Sequence, residues 1–168
     1  IGSNTVSTAF WREQKEIARR IADRIDMRVS SVKTQLVRVG EDNLFLQLIA
    51  KWLMRDKNRI VQYLEKALRG TANLRGMVLL DYAGNELVST GRKDTRSIIY
   101  TLRNSIREDK SKLLVNWRTS PSYVYPLYTV NKAVWLVYGI RLPTQRFILL
   151  GLSPANFNDF VSDNMQSE

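Results

Sequence analysis

The stretch RGMVLLDYAGNELVST, residues 75–90, contains two apolar runs separated by polar residues. Residues 77–80 are an unbroken apolar run, and residues 86–90 resume the apolar character after a polar interruption. The residues at 81–85 are typical of a turn. Gly84 adopts positive φ at little cost, and the side chains of Asp81 and Asn85 can bond to nearby backbone groups. The stretch therefore predicts a β-hairpin, which separates a helical first half of the chain from a strand-rich second half.

The segment upstream, residues 4–39, contains neither Gly nor Pro and is predicted to form one long helix. Such a helix is about 50 Å long, which is more than a compact domain of this size needs. Two interpretations stay open: the helix lies along its own sheet, or it forms a stalk that also pairs with a second copy. Both interpretations depend on the same apolar stripe along the helix, whose residues recur at helical, nearly heptad spacing: Phe10, Ile17, Ile21, Ile25, Val29, Val32 and Leu36.

The remaining patterns predict an α+β fold in a single domain, with a PAS-like antiparallel sheet of five to six strands. Residues 113–118 and 123–129 read as one bent strand or two short ones. The strands at 133–140 and 147–152 are apolar at nearly every position, which predicts that both faces of the sheet are covered there. The chain then divides into a stalk helix at 4–39, helices within 41–70, the sheet and one helix at 95–108 within 75–152, and a C-terminal helix (155–161, capped by Ser153-Pro154) and tail within 153–168.

The composition excludes several classes of enzyme. The chain has no His and no Cys, so it cannot form a Ser-His-Asp or Cys-His catalytic site, a disulfide or the usual zinc sites. It also lacks a glycine-rich phosphate loop and the GxGxxG motif. We therefore predict no enzymatic activity, no catalytic or metal-binding residues and no cofactor.

The chain is basic, with 26 Lys and Arg against 16 Asp and Glu, for a formal charge of +10. Such a charge suits nucleic acid, an anionic membrane surface or an anionic ligand. The basic residues are spread along the chain, which is also typical of an ordinary solvated surface. Residues 113–152 stand out, because they include Arg118, Arg141 and Arg146 but no Asp or Glu.

Aromatic and arginine side chains that suit a binding pocket are concentrated in this part of the chain. Aromatic rings supply apolar walls, and arginine recognises a carboxylate or phosphate with paired hydrogen bonds. The alternative is that these aromatics simply pack in the core of the sheet. The predicted ligand is a small organic anion, and the candidate ligand-binding residues are Tyr100, Arg103, Trp117, Arg118, Tyr123, Tyr125 and Tyr138.

The helix that begins at Asp56, followed by LRGMVLLDYAGNELVST at 74–90, resembles the entry of Cache sensor domains, the extracytoplasmic relatives of PAS domains. That family has a helix, a short loop, an apolar strand ending in Asp, a turn with Gly and a strand ending in Ser or Thr. The long first helix and GIRLPTQRFILLGLSPANFNDFV at 139–161 are similar to its opening stalk and closing strand and helix. A clear match to the amino-acid-binding motif of some Cache domains is lacking.

The resemblance implies a periplasmic or other extracytoplasmic sensor domain, anchored by flanking transmembrane segments in a bacterial inner-membrane receptor. Its output would be a histidine kinase, a chemoreceptor or a cyclic-dinucleotide enzyme. The nearly heptad stripe, independently of the resemblance, predicts weak self-association into a homodimer through the first helix, parallel in the intact receptor. Two alternatives of other classes stay open. One is a basic nucleic-acid-binding domain, which the dispersed charge and the lack of an RNP-like signature disfavour. The other is a ligand-free dimerisation module.

Overall fold

A computed structural model of the chain describes residues 2–71, 73–108, 110–128, 133–142 and 146–155. Within these residues, five α-helices flank one antiparallel sheet of five strands, so the predicted α+β fold with a long first helix is confirmed. The elements in chain order are α1 (Gly2–Gly40), α2 (Asn43–Trp52), α3 (Lys57–Arg69), β1 (Gly76–Asp81), β2 (Glu86–Gly91), α4 (Thr95–Glu108), α5 (Lys110–Thr119), β3 (Ser122–Tyr128), β4 (Val134–Arg141) and β5 (Phe147–Pro154). The strand order across the sheet is β2-β1-β5-β4-β3.

The predicted hairpin is confirmed as β1 and β2, and the last side chain of β1 holds its turn. Asp81 Oδ1 accepts hydrogen bonds from the backbone N–H groups of Ala83 and Asn85, both at 2.9 Å. Gly84 has a φ of 89°, the left-handed region that glycine adopts most easily. Partial burial raises the pKa of Asp81, but hydrogen bonds from Asn85 and the turn backbone outweigh it, so this pKa lies below its usual value.

β5 lies in the middle of the sheet, antiparallel to both of its neighbours, β1 and β4. Six consecutive residues of this strand, 148–153, are buried. A strand that is buried on both sides needs a layer of helices on each face of the sheet. The nearly continuous apolar run at 147–152 predicted that both faces are covered here, and the structure confirms it with a core on each face.

Two apolar cores cover the two faces of the sheet. Helices α1, α2 and α3 pack on one face, which we call the stalk face, and α4 and α5 pack on the other, which we call the opposite face. Because successive strand residues alternate between faces, Leu79 lies in the stalk-face core and Leu80 in the opposite-face core. The stalk-face core includes Leu36, Phe45, Ile60, Leu79, Tyr138 and Leu149; the opposite-face core includes Ile98, Leu102, Leu114, Trp117, Val137 and Leu150.

α1 has a packed half and a projecting half. Val32 and Leu36 are buried against the sheet, whereas none of the described side chains before Val32 is buried. Phe10 and Trp11 are 54% and 63% exposed. Arg28 and Val29 already contact the rest of the domain, so the projecting half is residues 7–27, about 32 Å long at the helical rise. Packing on the chain's own sheet is therefore confirmed for the end of the apolar stripe, and Val32 and Leu36 are not available for pairing with a second copy.

The prediction of a strand at 113–118 is wrong, because these residues belong to helix α5. The apolar run that suggested a strand contains Leu113 and Leu114, which are buried, and Val115, which is 49% exposed. The next buried residue is Trp117, so burial follows the three- to four-residue spacing of a helix face rather than strand alternation. The sheet still has five strands, because β3 alone accounts for the region that was predicted as one or two.

The predicted cap at Ser153-Pro154 is also wrong, since both residues lie within β5. Ala155 follows the strand, and its N–H donates to the carbonyl oxygen of Val134 at 2.8 Å. The rest of the predicted final helix, residues 156–161, lies outside the described residues. In the part of the chain that the structure describes, no helix is both long enough and apolar enough to cross a membrane.

Candidate ligand-binding site

Trp117 lies at the centre of the opposite face, where it packs directly on β4. Its side chain is fully buried, and its indole Nε1 donates a hydrogen bond to the carbonyl oxygen of Tyr123 at 3.3 Å. The ring covers Gly139, since a Cβ added there would lie only 2.3 Å from Nε1. Trp117 is therefore a core residue of this face, and contact between it and a ligand stays a prediction.

Two arginines meet at one end of the opposite face, where α5 ends. Arg118 is in the last turn of α5, and its carbonyl oxygen accepts a hydrogen bond of 2.9 Å from Nη1 of Arg141. A guanidinium that binds a free carbonyl at the end of a helix is a common way to complete the helix end. Arg141 is two residues after Gly139 in β4, so the two residues lie on the same face of the strand.

The surroundings of this arginine pair favour an anion. The Nε of Arg118 is buried and has no acceptor among the described groups. None of the ion pairs between described residues involves Arg118 or Arg141, and the sequence has no acidic residue from 113 to 152. A buried donor without an acceptor costs free energy, and a carboxylate or phosphate would supply the missing acceptor.

Two predicted tyrosines of β3 lie beside this end of the sheet. Tyr123 and Tyr125 are partly buried and pack against the opposite-face core. Tyr123 is paired with Gly139 across the ladder, and Tyr125 with the next residue on that face, Val137. Their rings provide apolar surface on the same face of the sheet that Trp117 covers.

Two other candidates lie apart from this group on α4. Tyr100 is 62% exposed. Arg103 forms an ion pair with Glu86 of β2, which gives its charge a partner within the chain. Arg103 lines a separate cleft of about 230 Å³ beside the hairpin turn, with Gly84 and Ile106.

Tyr138 lies on the other side of the sheet. It is 3% exposed and belongs to the stalk-face core, with α1, α2 and α3. The structure therefore brings Trp117, Arg118, Tyr123 and Tyr125 together on the opposite face and leaves Tyr100, Arg103 and Tyr138 elsewhere.

Arg141 and Gly139 belong to the site, but the sequence-based set of candidates missed both. The signal was present in β4, where Val137, Gly139 and Arg141 alternate with the residues of the other face. On one face of a strand, a glycine suggests that a bulky side chain packs against it, and an arginine suggests that the end of this face is charged. That inference required α5 to be identified as a helix lying over the strand.

The carboxylates that the structure describes near the helix starts and the hairpin have local roles. Asp42 and Asp56 are the N-caps of α2 and α3, and Asp81 holds the hairpin turn. Across the described residues, no three acidic side chains come together as a group that could hold a metal ion.

A comparison with protein-family models finds no matching family, and a comparison with curated proteins finds no relative. Among solved structures, the chain is similar to the extracellular domain of rpHK1S-Z16, a protein classed provisionally as a histidine kinase. The similarity covers 56% of this chain and 37% of that one, with 14% identity and a TM-score of 0.35.

Proposed function

We propose that this chain is an extracytoplasmic sensor domain of a transmembrane signalling receptor, which binds a small organic anion and passes the signal through its terminal segments. One observation carries the proposal: the projecting half of α1 and the C-terminal end of β5 lie at the same end of the sheet. The Cache-like order of elements supports it as well. A histidine kinase, a chemoreceptor or a cyclic-dinucleotide enzyme is the expected output.

Two contacts give the direction of α1 relative to β5. Leu36 of α1 lies against Gly151, as a Cβ added to that glycine would be 2.9 Å from the leucine Cδ1. Eight residues earlier in α1, Arg28 Nη1 donates a hydrogen bond of 3.0 Å to the carbonyl oxygen of Pro154, the last residue of β5. Moving backward along α1 thus corresponds to moving forward along β5, so the two elements are antiparallel.

This arrangement suits a domain held by both ends at one surface. The projecting half of α1, residues 7–27, extends about 32 Å away from the sheet. The chain that follows Pro154 starts beside Arg28, at the base of that projection. A membrane at this end of the sheet would be reached by both α1 and the chain that follows β5. Any shift between α1 and β5 would therefore be transmitted to the membrane directly.

β4 provides a short physical connection between the candidate site and α1. Gly139 carries the indole of Trp117 on the opposite face, while its neighbour Tyr138 packs in the stalk-face core that includes Leu36. A ligand shifts a receptor only by its different affinity for two states. An anion that moves the end of α5 through Arg118 would change the packing on Gly139 and bias the position of α1 through this strand.

The ligand is tested by a thermal-shift screen of organic carboxylates, amino acids, polyamines and nucleotides. Ligands that bind the folded state raise the melting temperature according to their excess over Kd. We expect carboxylates to raise it, and the double variant Arg118→Gln/Arg141→Gln to abolish the rise. The matched control is Arg107→Gln/Lys112→Gln, which removes the same charge from exposed positions. Polyamine binding without carboxylate binding would contradict the anion site.

The location is tested on the intact protein with reporter fusions. A reporter that is active only outside the cytoplasm is inserted in the exposed loop at Lys93, between β2 and α4. We expect activity from this fusion in intact cells. Activity only from a matched reporter that works in the cytoplasm would reject the sensor orientation.

Pairing of the stalk is tested by sedimentation of the isolated chain. We propose that Ile17, Ile21 and Ile25, which are only partly covered in the single chain, contact a second copy. Ile21→Glu should abolish concentration-dependent self-association, whereas the control Ala22→Glu, at an exposed position, should not. A chain that is monomeric at every concentration up to about millimolar would leave the pairing without support.

A further inference from the structure

A cleft on the stalk face, at the junction of α1, α2 and α3, has the dimensions of a small-molecule site. Its volume is about 480 Å³, within the range of roughly 300–1,000 Å³ that is typical of such sites. Val39 of α1 and Ala67 of α3 contribute apolar surface, together with the ring of Tyr63. The cleft lies across the sheet from the anion site of the proposed function and does not depend on it.

The wall formed by Tyr63 is held firmly in place. Its ring stacks on Phe45 with centroids 5.2 Å apart and an angle of 16° between the planes. Its hydroxyl donates a hydrogen bond to Asp42 Oδ2, and Oδ1 of the same carboxylate accepts from the N–H of Leu44 at 3.0 Å. Asp42 is the one acidic residue of the described lining, and both of its oxygens already have donors.

Two cations border the cleft from different helices. Arg38 of α1 and Lys66 of α3 line it, and both are exposed. The ion pairs between described residues involve neither of them. An apolar cleft with two such cations attracts a molecule that has an anionic head and an apolar body.

Gln35 adds a second observation inside the cleft. Its side-chain oxygen is buried and accepts no hydrogen bond from any described group. A buried acceptor without a donor costs free energy. The oxygen itself is closed to a water molecule, so the Gln35 amide has to rotate toward the cleft before an occupant, or a water that it holds, can donate to it.

We propose that this cleft binds an amphipathic acid, in which an anionic head group carries an alkyl chain. The head lies between Arg38 and Lys66, and the chain lies on Val39, Ala67 and the ring of Tyr63. Such a ligand joins α1 to α3 and so fixes the packed half of the stalk helix. Its source is a free fatty acid or an anionic phospholipid.

The test uses the whole chain and octanoate as the probe, with octanol and octylamine for comparison. Calorimetry measures Kd, and amide signals of Ala67 and Gly70 in NMR spectra report the location. We expect octanoate to bind and octanol and octylamine to bind about tenfold more weakly, because charge-assisted contacts are lost. The variant Arg38→Gln/Lys66→Gln should weaken octanoate by about tenfold as well.

The control variant is Arg69→Gln/Arg92→Gln, which removes the same charge from a neighbouring cleft between α3 and β2. It should leave the octanoate Kd unchanged. Flotation with phosphatidylglycerol vesicles separates the two sources: binding that requires Arg38 and Lys66 identifies a lipid, and octanoate binding without flotation identifies a free acid. No octanoate binding, equal losses in both double variants, or signal changes confined to Gly139 and the Trp117 indole would overturn the proposal.

Discussion

Adding one methyl group at Gly139 should displace the indole that organises the opposite face. A Cβ there would lie 2.3 Å from Nε1, 2.5 Å from Cδ1 and 2.8 Å from Cε2 of Trp117. These distances leave no room for the methyl, so the indole or the whole of α5 has to shift. Nothing at the strand itself relieves the clash, because β4 is paired on both sides.

The cost of Gly139→Ala has a lower and an upper bound. Overpacking of a core typically costs about 1–3 kcal/mol, and the hydrogen bond from Trp117 to Tyr123 adds roughly 1 kcal/mol. Complete loss of the indole contacts would cost about 3–5 kcal/mol, as in Trp-to-Ala substitutions. We therefore expect a decrease of about 3 kcal/mol in the free energy of unfolding, which is a large part of the roughly 5–15 kcal/mol of a typical domain.

Urea denaturation followed by circular dichroism measures this decrease, and the indole N–H signal of Trp117 reports its displacement. The matched control is Gly70→Ala, because a Cβ there would meet nothing nearer than the Ala67 carbonyl oxygen at 3.6 Å. In a Trp117→Leu background, Gly139→Ala should cost less than about 1 kcal/mol, which gives a large coupling energy between the two positions. An equal cost in both backgrounds would refute the steric explanation.

Three further changes test other parts of the structure. Ser153→Ala should raise the free energy of unfolding by about 1 kcal/mol in thermal denaturation, because the serine hydroxyl is fully buried without a partner. Gly84→Ala should lower it by about 1–2 kcal/mol in urea, since the turn requires positive φ and the added Cβ would lie 2.9 Å from Leu114; a cost no larger than that of Gly70→Ala would contradict this. Burial, together with the hydrogen bond to Asp42, raises the pKa of Tyr63 well above its ordinary value. The neutral phenol therefore stabilises the fold below about pH 10 and loses this effect as the pH rises further, so Tyr63→Phe should lower stability by about 1 kcal/mol at pH 7. The stability deficit of Tyr63→Phe in urea titrations should shrink above about pH 10. A deficit that grew there instead would reject the assignment.

Local sequence was sufficient wherever neighbours along the chain define the structure. The hairpin needed only two apolar runs and the turn around Gly84, and all of these lie within sixteen residues. α5 was missed because Leu113 to Val115 is an apolar run that suits a strand equally well. The contact that decides for a helix is between Trp117 and Gly139, and it joins residues far apart in sequence.

The same distinction applies to α1 and to the candidate site. The apolar stripe of α1 continues past Val32 without a change in pattern, so the sequence could not show where the sheet begins to cover it. Composition located the aromatic and arginine cluster, but Tyr138 faces the stalk because of its position in the strand alternation. Whether an aromatic residue lies on the stalk face or on the opposite face depends on the whole sheet and the helices that cover it. Residues 113–152 alone do not contain that information.

The central position of β5 determines when this sheet can be completed during synthesis. The two hairpins, β1 with β2 and β3 with β4, use contacts close in sequence and can form early. In the sheet that the structure describes, β5 lies between them, and it follows all four strands along the chain. A nascent chain that ends before residue 147 therefore holds two hairpins, each with an unpaired inner edge of the kind that promotes association between chains. We expect the domain to become a single cooperative unit only after the last strand, eight residues long, has emerged from the ribosome and paired with both edges.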